Sequence, residues 1–117
     1  YTCGPTVYDH THLGHMRSYV NTDFLRRMLE SNGLAVRQVE NITDVGHLLG
    51  DRDLGEDKLE TTARKEGKDA WQIAKIYEQE FFGTMEALNV ERPTIGCRAT
   101  EHIQEMIDLI KIMEKKV

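Results

Sequence analysis

Leu13, Met16, Val20, Phe24 and Met28 recur at steps of three and four residues, the period of an α-helix. Asn32-Gly33 ends that run as a C-cap, because glycine accepts the left-handed conformation a helix end requires. Ahead of the helix, Tyr1 to Val7 is apolar and β-branched enough to predict a strand, followed by a turn at Asp9 and His10. Behind it, "LAVRQVENI" predicts a second strand. Strand, helix, strand with short links is a βαβ unit, right-handed and with its strands parallel.

The next stretch, "NITDVGHLLGDRDLGED", is dense in Gly and Asp and reads as a loop. Three helices are expected after it. "EDKLETTARKEG" ends at Gly67. Asp69 with Gln72 resembles a capping box ahead of a stripe of Ile73, Ile76, Tyr77, Phe81, Met85 and Leu88. Trp71, Tyr77, Phe81 and Phe82 read as helix core rather than as base-stacking residues. "NVERPTIGCRA" interrupts the pattern with Pro93 and Gly96, which leaves Cys97 in a loop as a small half-buried residue. Thr100 then caps a last helix whose Ile103, Met106, Ile107 and Ile110 face inward. "RKEGK" and "EKKV" read as solvated faces, and Arg26-Arg27 carry no assigned role. The expected class is α/β. Residues 1–50 form the first half of a Rossmann-like parallel sheet and residues 51–117 a mainly helical segment. The chain opens inside a strand with no initiator methionine, which suggests the ordered or expressed part of a longer protein.

Composition narrows the functions. Hydrophobic residues make up 39% and charged residues 30%, enough apolar content for a packed core. A net charge of −5 argues against a broad nucleic-acid-binding surface, which needs clustered Lys and Arg, though not against a local contact. No apolar run approaches a membrane span. Cys3 and Cys97 are the only cysteines, too few for a disulfide framework, so a cytoplasmic protein is expected.

The candidate chemistry sits where the first strand hands over to its helix. His12 and His15 are three residues apart and share a face of the first helical turn. A helix N-terminus presents unpaired N–H groups and partial positive charge, which suits phosphate. An imidazole there can donate to a phosphate oxygen as charge builds on it. Gly14 between the two would let a base or ribose approach the backbone. Thr43 and Asp44 follow the second strand at its carboxyl edge, where ligands of open α/β sheets bind; a turn ending the strand explains them equally well. A metal cluster of Cys3 with His10, His12 and His15 has no suitable ligand spacing.

"CGPTVYDHTHLGH" resembles the signature of class I aminoacyl-tRNA synthetases, in the version found in cysteinyl-tRNA synthetases. "NITDV" (41–45), "GEDKLE" (55–60), "ALN" (87–89) and "RATEHI" (98–103) follow in that family's order. The resemblance implies that ATP, carried with Mg²⁺, and cysteine form cysteinyl-adenylate, and that the 3′ adenosine of tRNA(Cys) then takes the cysteinyl group. By matching, His12 and His15 are the catalytic pair on the phosphates, and Thr6, Asp9, His12, Gly14 and His15 line the ATP stretch. Cys3, Gly4 and Thr43 lie with the amino acid, and Cys3 is a Zn²⁺ ligand whose companions lie further along than Val117. Zinc favours soft sulfur over a hydroxyl, which would separate cysteine from serine. Met16 stands where the family more often has a small residue, and so bears on the nucleotide pocket. The second half of the sheet and a mobile Lys-Ser loop are missing from this match, so the chain alone is expected to be inactive. A monomer is the expectation. Two other readings stay open: an ATP-dependent cysteine ligase of low-molecular-weight thiol synthesis, and a non-catalytic nucleotide-binding relative.

Overall fold

The computed structural model of the chain describes residues 1–45, 62–65 and 67–116. The elements run α1 (Leu13–Ser31), β1 (Val39–Ile42), α2 (Ala70–Ala87), β2 (Ile95–Arg98), a 3₁₀ turn (Ala99–His102) and α3 (Ile103–Glu114). Residues 62–65 add a short helical stretch. Most of the expected Gly/Asp loop, the "GEDKLE" match and most of the helix ending at Gly67 lie outside the described residues.

β1 and β2 are parallel, with Val39 opposite Ile95 and Ile42 opposite Arg98. The other edge of β1 takes the N-terminal segment through two parallel bridges, Thr2 to Glu40 and Thr6 to Thr43. The order is therefore N-terminal segment, β1, β2, all parallel, with a helix in each connection. That is the arrangement expected of half a Rossmann-like sheet.

The first strand is less regular than expected. Residues 2 to 6 run beside residues 40 to 43, so the edge carries one residue too many and bulges. Gly4 occupies the bulge: a Cβ there would lie 1.6 Å from the carbonyl oxygen of Asn41. Pro5 has no N–H to give, but its carbonyl accepts from the Thr43 N–H at 2.9 Å. Conversely, residues 89–99 hold a strand where a loop was expected. Pro93 lies ahead of β2, and the Ile95 N–H donates to the Gln38 carbonyl at 3.0 Å, opening the ladder. Cys97 accordingly sits on β2, half-buried, its thiol donating to the Glu40 carbonyl at 3.6 Å.

Two apolar clusters fill the interior. Val7, Ile42, Ala63, Ile73, Ala74 and Tyr77 form one; Met16, Tyr19, Phe81, Met85 and Val90 form the other, with Phe82 against both. α2 thus buries Ile73, Tyr77, Phe81 and Met85 as expected. Trp71, Ile76 and Leu88 are corrections: all three are exposed, Trp71 to 62%. The expected capping box of Asp69 and Gln72 is present, with the Asp69 N–H donating to Gln72 Oε1 at 3.4 Å.

α1 turns a different face inward from the one its apolar residues marked. Met16, Tyr19 and Asp23 are its buried residues, whereas Leu13, Val20, Phe24 and Met28 are exposed. Asp23 is buried because it fastens the α2–β2 connection. Its Oδ1 accepts from the Glu91 N–H at 2.9 Å and its Oδ2 from Arg27 Nε at 2.7 Å. Arg27 also donates to the Asn89 carbonyl and Arg26 to the Arg92 carbonyl, each at 2.9 Å. The arginine pair therefore holds the turn in which Asn89 takes a φ of 56°. At the end of α1, Gly33 has a φ of 80°, and the Gly33 and Leu34 N–H groups reach the Glu30 and Leu29 carbonyls, a Schellman closure.

α3 has no buried residue, so Ile103, Met106, Ile107 and Ile110 do not face inward. Thr100 does not cap it either. Thr100 lies in the 3₁₀ turn, where its hydroxyl donates to Asp44 Oδ2 at 2.6 Å and its N–H to Asp44 Oδ1 at 3.0 Å. Asp44 is thereby buried at the carboxyl end of β1 and ties it to the turn after β2.

Candidate functional site

The N-terminal segment leaves the sheet at Val7, whose N–H donates to the Thr43 carbonyl at 3.2 Å. It turns where the Tyr8 N–H meets the Thr6 carbonyl and the His10 N–H meets Asp9 Oδ1 at 2.7 Å. It then enters α1 through His12, which is the N-cap residue in extended backbone conformation. The His12 Nδ1 accepts from the Gly14 N–H at 3.1 Å, satisfying one of the helix's orphan donors. An acceptor nitrogen carries no proton, so the capping bond leaves the His12 proton on Nε2. Gly14 makes room for this cap, since a Cβ there would lie 2.9 Å from the His12 ring. His15 stacks on His12 with ring centroids 3.7 Å apart and planes 24° from parallel.

These rings border a cleft of about 390 Å³. Gly4, Thr6, Asp9, His12 and His15 all line it, together with Pro5, Tyr8, His10, Thr11, Tyr19 and Phe81. Five of the residues expected at the site therefore meet on one surface. Gly14 lies beneath His12 and lines a neighbouring groove with Leu13, Met16 and Leu88. Met16 is buried against α2, and the cleft's lining does not include it.

Cys3 and Thr43 are not on the cleft wall; one side chain ties their surroundings together. Asn41 Oδ1 accepts from the Gly4 N–H and the Tyr1 hydroxyl, both at 3.0 Å, and Asn41 Nδ2 donates to Thr43 Oγ1 at 3.1 Å. Asn41 thus replaces the main-chain partner that the bulge removed, and sequence reasoning did not single it out. Its one signal is a polar amide at the middle of a β-branched strand. Cys3 is exposed, and its carbonyl accepts from the Tyr19 hydroxyl at 3.4 Å. Burial raises the Tyr19 pKa, with negative charge at Glu40 and Cys3 adding to it.

Glu40 is the other unexpected residue. It is 1% exposed, and neither carboxyl oxygen has a hydrogen-bond partner among the described residues. Burial pushes its pKa up to about 7, so the interior favours the neutral acid up to that pH.

Cys3 supplies a single sulfur. Among the described residues no group of three or more His, Cys, Asp or Glu side chains gathers to hold a metal, whereas zinc takes three or four protein ligands. The described residues therefore do not complete a zinc site. No described helix is long and apolar enough to cross a membrane.

Comparison with known proteins places the chain in a family. The family model for the catalytic domain of class I (C) tRNA synthetases matches residues 1–117. A cysteine–tRNA ligase of Burkholderia lata is 55% identical over 98% of this chain, which covers 24% of that relative. The cysteine–tRNA ligases of Treponema denticola and Deinococcus radiodurans are 54% and 53% identical over 97% and 99% of the chain, 23% of each relative. The chain thus spans about a quarter of the length of these relatives. The chain belongs to the class I (C) tRNA synthetase catalytic-domain family, whose model spans all of it.

Proposed function

We propose that the intact protein is a cysteine–tRNA ligase and that this chain supplies part of its ATP-binding half. The observation that supports it most is the pair of stacked imidazoles, His12 and His15, on one cleft wall at the start of α1. In the first step the cysteine carboxylate attacks the α-phosphorus of ATP, forming cysteinyl-adenylate and releasing pyrophosphate. In the second the 3′ adenosine hydroxyl of tRNA(Cys) attacks the adenylate carbonyl and releases AMP.

The chain's own contribution is positioning and charge stabilisation. His12 holds its Nε2–H free of the capping bond, as a donor to a phosphate oxygen. His15, stacked against it, presents a second ring to the same anion. Thr6 and Asp9 line the approach, and Gly14 keeps the helix start clear for the capping ring. Gly4 and Thr43, fastened through Asn41, form the amino-acid side with Cys3. ATP comes with Mg²⁺. When bound, Zn²⁺ would supply a soft Lewis acid that prefers sulfur to a hydroxyl oxygen, with Cys3 as one ligand beside others outside the described residues.

The test is cysteine-dependent ATP–pyrophosphate exchange by the intact protein, with serine as the comparison substrate. Exchange with cysteine and not serine is expected. His15→Ala should lower kcat on the order of 10²-fold, as for loss of one charge-stabilising donor. Wild-type protein without cysteine-dependent exchange sinks the assignment.

A further inference from the structure

His10 borders the same cleft as His12 and His15, yet the reading above gives it no task. Its Nδ1 lies 2.8 Å from one carboxylate oxygen of Glu80 and 3.0 Å from the other. Its ring stands edge-on to Tyr77, with centroids 5.2 Å apart. Both partners belong to α2, whose Tyr77 and Phe81 on either side of Glu80 are buried, so the carboxylate is mounted on a packed element. A carboxylate only accepts, so Nδ1 carries the proton of this bond. The second nitrogen, Nε2, is thereby the one left for a ligand. A histidine oriented through one nitrogen by a carboxylate, with its other nitrogen available at a cleft, is an arrangement for meeting a charged ligand.

We infer that His10 is a third phosphate-contacting imidazole of the cleft, with Glu80 as the residue that positions it. The inference rests on the nucleotide reading above. Facing a polyphosphate, the ring meets a phosphate oxygen through Nε2–H while Glu80 holds it at Nδ1. Glu80 opposite balances the charge. Asp9 instead holds the His10 main-chain N–H. Besides Asp9, the other titratable groups lining this cleft are Tyr8 and, from α1 and its cap, His12, His15 and Tyr19, while Tyr77 of α2 packs against the His10 ring.

The test separates the two ring nitrogens. In the intact protein, His10→Asn keeps an N–H close to where Nδ1 meets Glu80 but has nothing at Nε2. His10→Gln places its amide nearer Nε2. In cysteine-dependent ATP–pyrophosphate exchange, His10→Asn should raise the KM for ATP on the order of tenfold, as for loss of a hydrogen bond to a charged group. Its KM for cysteine should not move, and His10→Gln should recover part of the loss. The reverse ranking, with Asn like wild type and Gln impaired, would mean that His10 only ties its loop to α2, and overturns the inference. Should His10→Asn fail to fold by circular dichroism, Glu80→Gln decides. It keeps an acceptor for Nδ1 but removes the charge, so a severalfold rise in the KM for ATP supports the inference and an unchanged value overturns it. Wild-type protein that exchanges while these variants keep their ATP KM overturns this inference alone. Wild-type protein that does not exchange overturns the functional reading and this inference with it.

Discussion

Glu40 stands between Thr2 on one edge of β1 and Gly96 on the other, its carboxyl group sealed from water without a partner among the described residues. Its proton follows from that position. Below the ordinary carboxyl value of 4.5, both folded and unfolded chains hold it neutral. From there to about 7 the unfolded chain releases the proton while the folded chain keeps it. Stability therefore falls as pH rises through this window, by at most about 3 kcal/mol, and the loss is complete above it. Glu40→Gln removes the ionisable group and keeps the shape. The variant should outlast wild type in urea by a margin that is small at pH 5 and grows by pH 8. A margin independent of pH would contradict the account. At this scale the sequence was legible where chemistry is announced by residue type and spacing, as with His12, Gly14 and His15. It was not legible at Glu40 or Asn41, because a carboxyl group is read as surface and an amide as turn until a neighbouring segment closes over it. At Gly14 the structure adds a reason the sequence did not announce: its missing side chain makes room for the ring of His12.

Elements were readable in proportion to how local their causes are. The Asn32-Gly33 closure of α1 and the Asp69–Gln72 contact depend on residues within one turn, and both are present. β2 depends on the ladder that β1 offers from far along the chain, and Pro93 and Gly96 looked like breakers without that partner. α1 was misread on its inner face because an aspartate replaces an apolar residue there. Asp23 joins α1 to the connection before β2 through the Glu91 N–H, with Arg27 sharing the same carboxylate. Asp23→Ala should cost about 2 kcal/mol, since it strands a half-buried N–H and releases an arginine. Asp23→Asn, which retains an acceptor for Glu91, should cost less. Chemical denaturation of the two variants checks the ranking.

Across the whole molecule, the parallel order of the three segments puts His12, His15, Thr43 and Asp44 near the carboxyl ends of the sheet, where an α/β fold collects its ligands. That much followed from strand, helix, strand. The exposed apolar residues of α3 did not, because periodicity marks a face without saying what covers it. On the function proposed above, the amino-acid side depends on Cys3, an exposed thiol beside the Gly4 bulge. In the intact protein, Cys3→Ser should lower bound zinc and narrow the preference for cysteine over serine in pyrophosphate exchange. Metal analysis with unchanged stoichiometry would refute the ligand role. Thr2 and Thr6 each meet β1 through main-chain pairing; between them the Pro5 carbonyl takes the Thr43 N–H, the Cys3 carbonyl the Tyr19 hydroxyl, and the amide of Asn41 takes the Gly4 N–H. Turning that one side chain would free Gly4 and Tyr1 together and leave both outer fastenings in place. The peptide bearing Cys3 is thus hung like a latch between fixed ends, with the Tyr19 hydroxyl on its own carbonyl and the Asn41 amide on the Gly4 N–H as its two catches.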